Sequence, residues 1–505
     1  MAADAYLPQG MELDRSERIH YGTQVRLSQT ALKGREKCVT VGVQLKSRGK
    51  QESFTCAQSL DELAALAETA GMQLVGTVMQ ALDAPIASTY IGSGKVSEIL
   101  SVLQGTGAKT VIFDDELSPA QQRNLERCFG GEAKGIKVID RTALILDIFA
   151  QHAMTREGKL QVELAIYNYR LPRLTRMWKH LERQSGAGGV GLRGPGETQL
   201  EVDRRLIEKK LTYLKRQIDA IKTHRTRQRS ARKRLGVPLV AIVGYTNAGK
   251  SSIFNALSSA HVMAEDMLFA TLDTKTSIAE LPGSLRLQPN ILLTDTVGFI
   301  SKLPTNLVAA FRSTLEEVAE ADVLVHVIDA SNPCRELQRK TVDRILAEIL
   351  DGEQKPQVLV YNKADLLSVE DQRVVRAQFV KKQGDTQQVL VSAKTHSGLE
   401  DCFFALEQAL RDLMMPVDFL IPFDQGQLVT EVHERGIVEK MEHRSAGTFL
   451  ECSVPADLAF RLKAYRLDYV EGEDEDEDAP GAHDVGDVVE DERYWKQLAK
   501  KRPVL

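Results

Sequence analysis

Cysteine is sparse in this chain of 505 residues. The six cysteines (Cys38, Cys56, Cys128, Cys334, Cys402, Cys452) stand singly, with no Cys-x-x-Cys and no neighbouring histidine pair. That excludes a zinc site and a disulfide framework, and the thiols read as reduced core residues. The sequence also lacks any apolar run long enough to cross a bilayer, and it lacks a charged-then-apolar N-terminal leader. A soluble intracellular protein is expected, in the cytoplasm or in an organelle such as a plastid stroma. Between Glu471 and Glu492 there are twelve acids and no lysine or arginine; without that stretch the net charge of −5 becomes +7. The body is therefore mildly basic, and the like-charge run reads as a disordered tail. Acids are missing in turn from 222–234, where Lys222, Arg225, Arg227, Arg229, Arg232, Lys233 and Arg234 crowd together. With no (i, i+4) acidic partners to explain them, these cations suit a polyphosphate partner, RNA above all.

The most informative stretch runs Gly244, Tyr245, Thr246, Asn247, Ala248, Gly249, Lys250, Ser251, Ser252, between the apolar Val237–Val243 and a helix-like Ile253–Leu257. A strand, a Gly-x-x-x-x-Gly-Lys-Ser turn and a helix start form a phosphate-binding loop. Successive N–H groups and a helix N-terminus make a concave anion site. Lys250 is placed for the β and γ phosphates, and the Ser251 hydroxyl for Mg²⁺.

Further segments follow in order. Asp295, Thr296, Val297 and Gly298 close an apolar run, with Asp295 able to hold Mg²⁺ and the Gly298 N–H able to meet a γ phosphate. Asn362, Lys363 and Asp365 close Val358–Tyr361, and Ser392, Ala393 and Lys394 close Val389–Val391. Asp365 offers paired acceptors to the N1–H and N2 amine of guanine, which adenine lacks; such a site rejects the wrong base by roughly 10⁴ to 10⁵. The nucleotide is read as GTP or GDP. Thr271 is the candidate switch threonine and a third Mg²⁺ ligand, with Thr274 and Thr276 as alternatives. The expected catalytic set is Lys250, Thr271 and Gly298, acting with Mg²⁺ and an ordered water, since no general base is evident.

A water-orienting glutamine is absent after Gly298, where Phe299 stands. Slow intrinsic hydrolysis follows, with a partner supplying what is missing. Asn247 is a candidate for holding a K⁺ ion in place of an arginine finger.

The periodicity divides the chain into a flexible lead (1–37), a parallel α/β domain (38–153), a helical hairpin with a glycine-rich tip (154–235), a Ras-like P-loop domain (236–414), a small α+β domain (415–468) and the acidic tail (469–505). In the first domain Ser59 reads as an N-cap for a helix ending at Gly71, and Pro119 opens another behind Ser118. Gly92, Ser93, Gly94 and Lys95 hint at a second phosphate loop, but its first glycine would fall at Thr89, so a strand-to-helix turn is the better reading. In the hairpin, Lys159–Leu174 and Leu200–Leu235 carry helical spacing.

These features together resemble the HflX family of translation-factor-like GTPases. The resemblance covers about Val39 to Leu462, and its most specific part lies outside the GTPase motifs: Gln161 to Ala165, then Gly188 to Arg205 with Gly191, Arg193, Gly194, Gly196, Arg204 and Arg205. Phe269 to Asp273 and Asp295 to Ile300 also fit. The family pattern has proline after the switch aspartate, where this chain has Thr274. The resemblance implies docking on the large ribosomal subunit through the N-terminal domain and hairpin, with the tip reaching towards the peptidyl transferase centre. It further implies GTP-dependent dissociation or rescue of stalled or idle ribosomes by a monomer that reads no DNA sequence. The rivals are an rRNA chaperone or assembly factor, an ATP-driven P-loop enzyme, and an RNA scaffold with a vestigial nucleotide domain.

Overall fold

The computed structural model describes residues 35–46, 54–177, 204–221, 237–258, 268–269, 274–280, 290–302, 317–379 and 387–467. The architecture is mixed α/β, built on three sheets.

The first sheet is parallel, in the order β2-β1-β3-β4, from β1 (Lys37–Leu45), β2 (Gln73–Leu82), β3 (Thr110–Phe113) and β4 (Lys137–Asp140). Helices α1 (Cys56–Thr69), α2 (Ser93–Thr106), α3 (Pro119–Cys128) and α4 (Arg141–His152) connect and follow the strands. Val39, Val41 and Phe113 bury one face beneath α2 and α3, while Cys38 and Ile112 pack with Leu63 of α1 and Leu144 and Ile148 of α4. The start of α1 corrects the sequence reading. The cap is Thr55, in a reciprocal capping box with Gln58, and Ser59 lies inside the helix, buried, with its hydroxyl on Asp114 (2.7 Å). Ser118 does cap α3, with Pro119 at its first position. The Gly92 turn is structural: its N–H is taken by Gln80 Oε1 (3.0 Å) and α2 starts at once behind it.

Two long helices follow, α5 (Arg156–Met177) and α6 over 204–221. They run antiparallel, as Arg156 bonds Gln217 (3.0 Å) and Glu163 meets Lys210 (3.2 Å). Ile207, Leu211 and Leu214 are buried at heptad-like spacing. The tip and the rest of the basic run lie outside the described residues.

The central sheet has the order β10-β9-β8-β5-β7-β6, parallel except for the edge strand β6. Its strands are β5 (Leu239–Gly244), β6 (Lys275–Glu280), β7 (Asn290–Asp295), β8 (Val323–Asp329), β9 (Gln357–Asn362) and β10 (Gln387–Leu390). Helices α7 (Lys250–Leu257), α8 (Arg335–Ile349), α9 (Val369–Ala377) and α10 (Leu399–Arg411) cover it. Residues of β5 divide by parity: Val240 and Ile242 pack with α7 and α10, whereas Leu239, Ala241 and Val243 join the core that contains α1 and α4. The first and central sheets thus share one continuous apolar core. The edge strand β6 is an element the sequence reading lacked.

Beyond α10 comes an antiparallel sheet, β11-β13-β12, from β11 (Met415–Ile421), β12 (Ile437–Arg444) and β13 (Gly447–Val454), with α11 (Gly426–Arg435) and α12 (Ala456–Arg461). Among the described residues no helix is long and apolar enough to cross a membrane.

Candidate nucleotide site

Sheet order locates the crevice. The chain leaves β5 to build β6 and β7 on one side, then returns to build β8, β9 and β10 on the other. The carboxyl end of β5 is the reversal point where open α/β sheets bind ligands, and there the glycine-rich loop turns into α7.

Two glycines are fixed by sterics. Gly244 (φ 153°) passes so near β8 that a Cβ would lie 2.3 Å from the Val327 carbonyl, and at Gly249 (φ 91°) a Cβ would lie 2.2 Å from Asn362 Nδ2. That Asn362 amide donates to the Ala248 carbonyl (3.0 Å) and its oxygen accepts from the Ala393 N–H (3.1 Å). One side chain therefore ties the phosphate loop to the loop of Ser392, Ala393 and Lys394. Asp365 is held there too, its Oδ1 accepting from Ser392 Oγ (2.6 Å), while Lys363 (φ 65°) pairs with Asp329 (2.8 Å). Asn362, Lys363, Asp365 and the 392–394 loop thus stand together at the carboxyl ends of β9 and β10.

At the phosphate end, Lys250 is buried and donates to the Tyr245 carbonyl (2.9 Å). Burial pushes its ammonium down to about 8 against the opposing pull of Asp295. Ser251 Oγ donates to Asp295 Oδ2 (2.6 Å), with Asp295 fully buried. A hydroxyl and a carboxylate side by side are hard oxygen donors, the set that suits Mg²⁺. Thr296 anchors the end of β7 by donating to the Ile242 carbonyl (2.7 Å), and Val297 is buried. Ser252 lies in the first turn of α7, and Asn247 (φ 59°) is exposed at the rim of the loop.

The residue after Gly298 does something other than orient water. Phe299 is buried and pairs by its backbone with the phosphate loop: its N–H donates to the Gly244 carbonyl (3.0 Å) and its carbonyl accepts from the Thr246 N–H (2.7 Å). The Tyr245 ring leaves the phosphate cradle altogether. Its hydroxyl donates to Glu62 of α1 and accepts from the Ser301 N–H (2.7 Å), and only its backbone faces the loop. Sequence reading missed Glu62, Asp114, Arg141, Ser301 and Lys302, which meet beside this loop.

The other candidates fall as follows. Thr271 lies outside the described residues, as do Gly191, Arg193, Gly194, Gly196, Arg225, Arg227, Arg229, Arg232, Lys233 and Arg234. Thr276, an alternative switch threonine, is a ladder residue of β6 whose hydroxyl bonds that of Thr294 (3.0 Å). Arg204 and Arg205 are exposed on α6, and Arg204 is paired with Glu208 (2.8 Å), an ordinary (i, i+4) surface bridge.

Comparison with known proteins agrees with this geometry. Residues 57–150 match the family model GTP-binding GTPase N-terminal, 152–232 the GTP-binding GTPase Middle Region, and 239–363 a model described as 50S ribosome-binding GTPase. The chain is 44% identical over 408 residues to the GTPase HflX of Alkalihalophilus pseudofirmus, covering 81% of this chain and 90% of that one. It is 41% identical over 386 residues to the GTPase HflX of Escherichia coli, covering 76% and 86%. Among solved structures, a GTP-binding protein from Sulfolobus solfataricus in complex with GDP aligns at 23% identity with a TM-score of 0.39, over 74% of this chain and 98% of that one. The chain belongs to the HflX family of GTPases: it binds GTP and hydrolyses it to GDP and phosphate.

Proposed function

We propose that this GTPase binds the large ribosomal subunit and uses GTP to dissociate or rescue stalled or idle ribosomes. The observation that carries the reading is the antiparallel hairpin of α5 and α6, which continues into an acid-free basic run and then directly into β5 and the phosphate loop. A cation-rich stretch of sequence leading into the nucleotide domain suits an RNA-rich partner. The description of the model matched by residues 239–363 supports the same partner.

Within the site, the N–H groups at the start of α7 and the Lys250 ammonium would cradle the phosphates. Asp365 would accept from guanine, and the Gly298 N–H would meet the γ phosphate. Ser251, Asp295 and Thr271 would hold Mg²⁺, which when bound neutralises charge developing on the phosphate oxygens. Phe299 cannot position water, so the ribosome is assigned the task of ordering it; Asn247 at the rim is the residue proposed to hold K⁺. Both assignments are tested together. GTP turnover in K⁺ buffer should rise at least about tenfold with purified large subunits, some 1.4 kcal/mol off the barrier, and fall when Na⁺ replaces K⁺. Sucrose gradients with a GTP analogue should then show 70S particles converted to subunits. Stimulation without conversion would favour the rRNA chaperone, and no stimulation would remove the ribosome as activator.

A further inference from the structure

We propose that Glu62, Asp114 and Arg141 of the N-terminal unit set the site's preference between GTP and GDP, by clamping the Phe299–Lys302 segment against the phosphate loop. The inference rests on GTP binding, not on the ribosome reading.

Arg141 opens α4 and is almost wholly buried; burial works against its charge, but Glu62 and Asp114 outweigh that and hold it protonated. Its Nη1 donates to Asp114 Oδ1 (2.8 Å), and its Nη2 to Glu62 Oε2 and to Ser301 Oγ (3.1 Å). Ser301 Oγ donates to Glu62, whose other oxygen receives the Tyr245 hydroxyl. Lys302 donates to Asp114 and lies 2.7 Å from Asp115. Thus Glu62 and Arg141 together bond Ser301, Asp114 bonds Lys302, and Tyr245 carries the link into the phosphate loop itself. An aromatic contact adds a second grip: Phe149 of α4 stands edge-on to Phe269, at 4.6 Å between ring centres.

What the clamp holds decides its effect. A Cβ on Gly298 would lie 2.8 Å from Lys250 Nζ and 2.9 Å from Thr246 Cα. A γ phosphate held by both the Lys250 ammonium and the Gly298 N–H has to enter between them, where the ammonium now lies close against Gly298 and donates to the Tyr245 carbonyl (2.9 Å). On this proposal the Gly298 side gives way to GTP, working against the Phe299 bonds to Gly244 and Thr246 and against the clamp on Ser301 and Lys302. GDP makes no such demand. A ligand that must break contacts another ligand leaves alone loses affinity by the strength of those contacts.

The test uses the full-length chain without ribosomes and measures dissociation constants for a fluorescent GDP and for a fluorescent non-hydrolysable GTP analogue. Glu62→Gln and Ser301→Ala should each improve analogue binding relative to GDP by about five- to tenfold, with GDP affinity changed less than twofold. The double variant should do little more than either single, because both break one network. Lys302→Met, at an exposed position where Asp114 keeps its bond to Arg141, provides an independent variant should Glu62→Gln fail to fold, and should shift the ratio in the same direction. Equal loss of both nucleotides would mean that these residues merely stabilise the fold, and an unchanged ratio in Ser301→Ala and Lys302→Met would overturn the proposal.

Discussion

Asp365 is the side chain proposed to select the base. Its carboxylate accepts from Ser392 Oγ, close to the link between Asn362 and Ala393, and replacing it with asparagine turns one acceptor into a donor while keeping the shape. Asp365→Asn should weaken GTP at least about a hundredfold, near 2.7 kcal/mol, and restore binding to xanthosine triphosphate; competition between the two nucleotides checks it. A second acid matters for stability alone. Asp147, in α4, has its carboxyl pushed up to about 6 by burial, against the bond that Gln151 donates to it (2.8 Å). A folded-state value above the unfolded one means the protonated form is preferred in the fold, so stability is full below about pH 4 and is lost as pH rises through about 6. Asp147→Asn, which carries no charge to bury, should be more stable than the parent by about 1–3 kcal/mol at pH 8. The gain should shrink as pH falls to 5, as thermal melts at the two pH values would show.

At the scale of elements, the phosphate loop is a tightly packed joint. Gly249→Ala must strain a left-handed backbone and drive a methyl into Asn362, which itself holds both Ala248 and Ala393. It should abolish measurable GTP binding, a loss of more than about a hundredfold, while circular dichroism stays native. This joint was legible in the sequence because its chemistry is local: the glycines, Lys250 and Ser251 sit within eight positions, and Asp295, Asn362 and Asp365 each end an apolar run. The strands β5, β7, β8 and β9 were legible for the same reason, being short apolar runs buried on both faces. The edge strand β6 was not, since its exposed Lys275, Thr276 and Ile278 show no such run. The clamp was invisible for another reason. Arg141 meets Ser301 across 160 residues and Tyr245 meets Glu62 across 183, and each member taken alone looks like an ordinary surface charge or hydroxyl.

For the whole molecule, charge is distributed unevenly: a basic run at 222–234 precedes the nucleotide domain and twelve acids crowd into 471–492. If the acids compete for the basic run, removing 471–492 should tighten RNA binding at low salt several-fold, with the difference fading as salt screens both; equal binding by filter assay across salt would refute the competition. The clamp also bears on how the chain is made. Glu62, Asp114 and Arg141 all lie in the segment that leaves the ribosome first, so the buried guanidinium finds both its counter-charges without waiting for the nucleotide domain. What the early segment lacks is cation: with Asp115 it carries an acidic excess until Lys302, 188 residues beyond Asp114, arrives. Synthesis order thus lets the first sheet close on its own charges before the nucleotide domain exists. A chain caught halfway would expose, where its partner surface will later sit, surplus acids beside the apolar residues of the shared core.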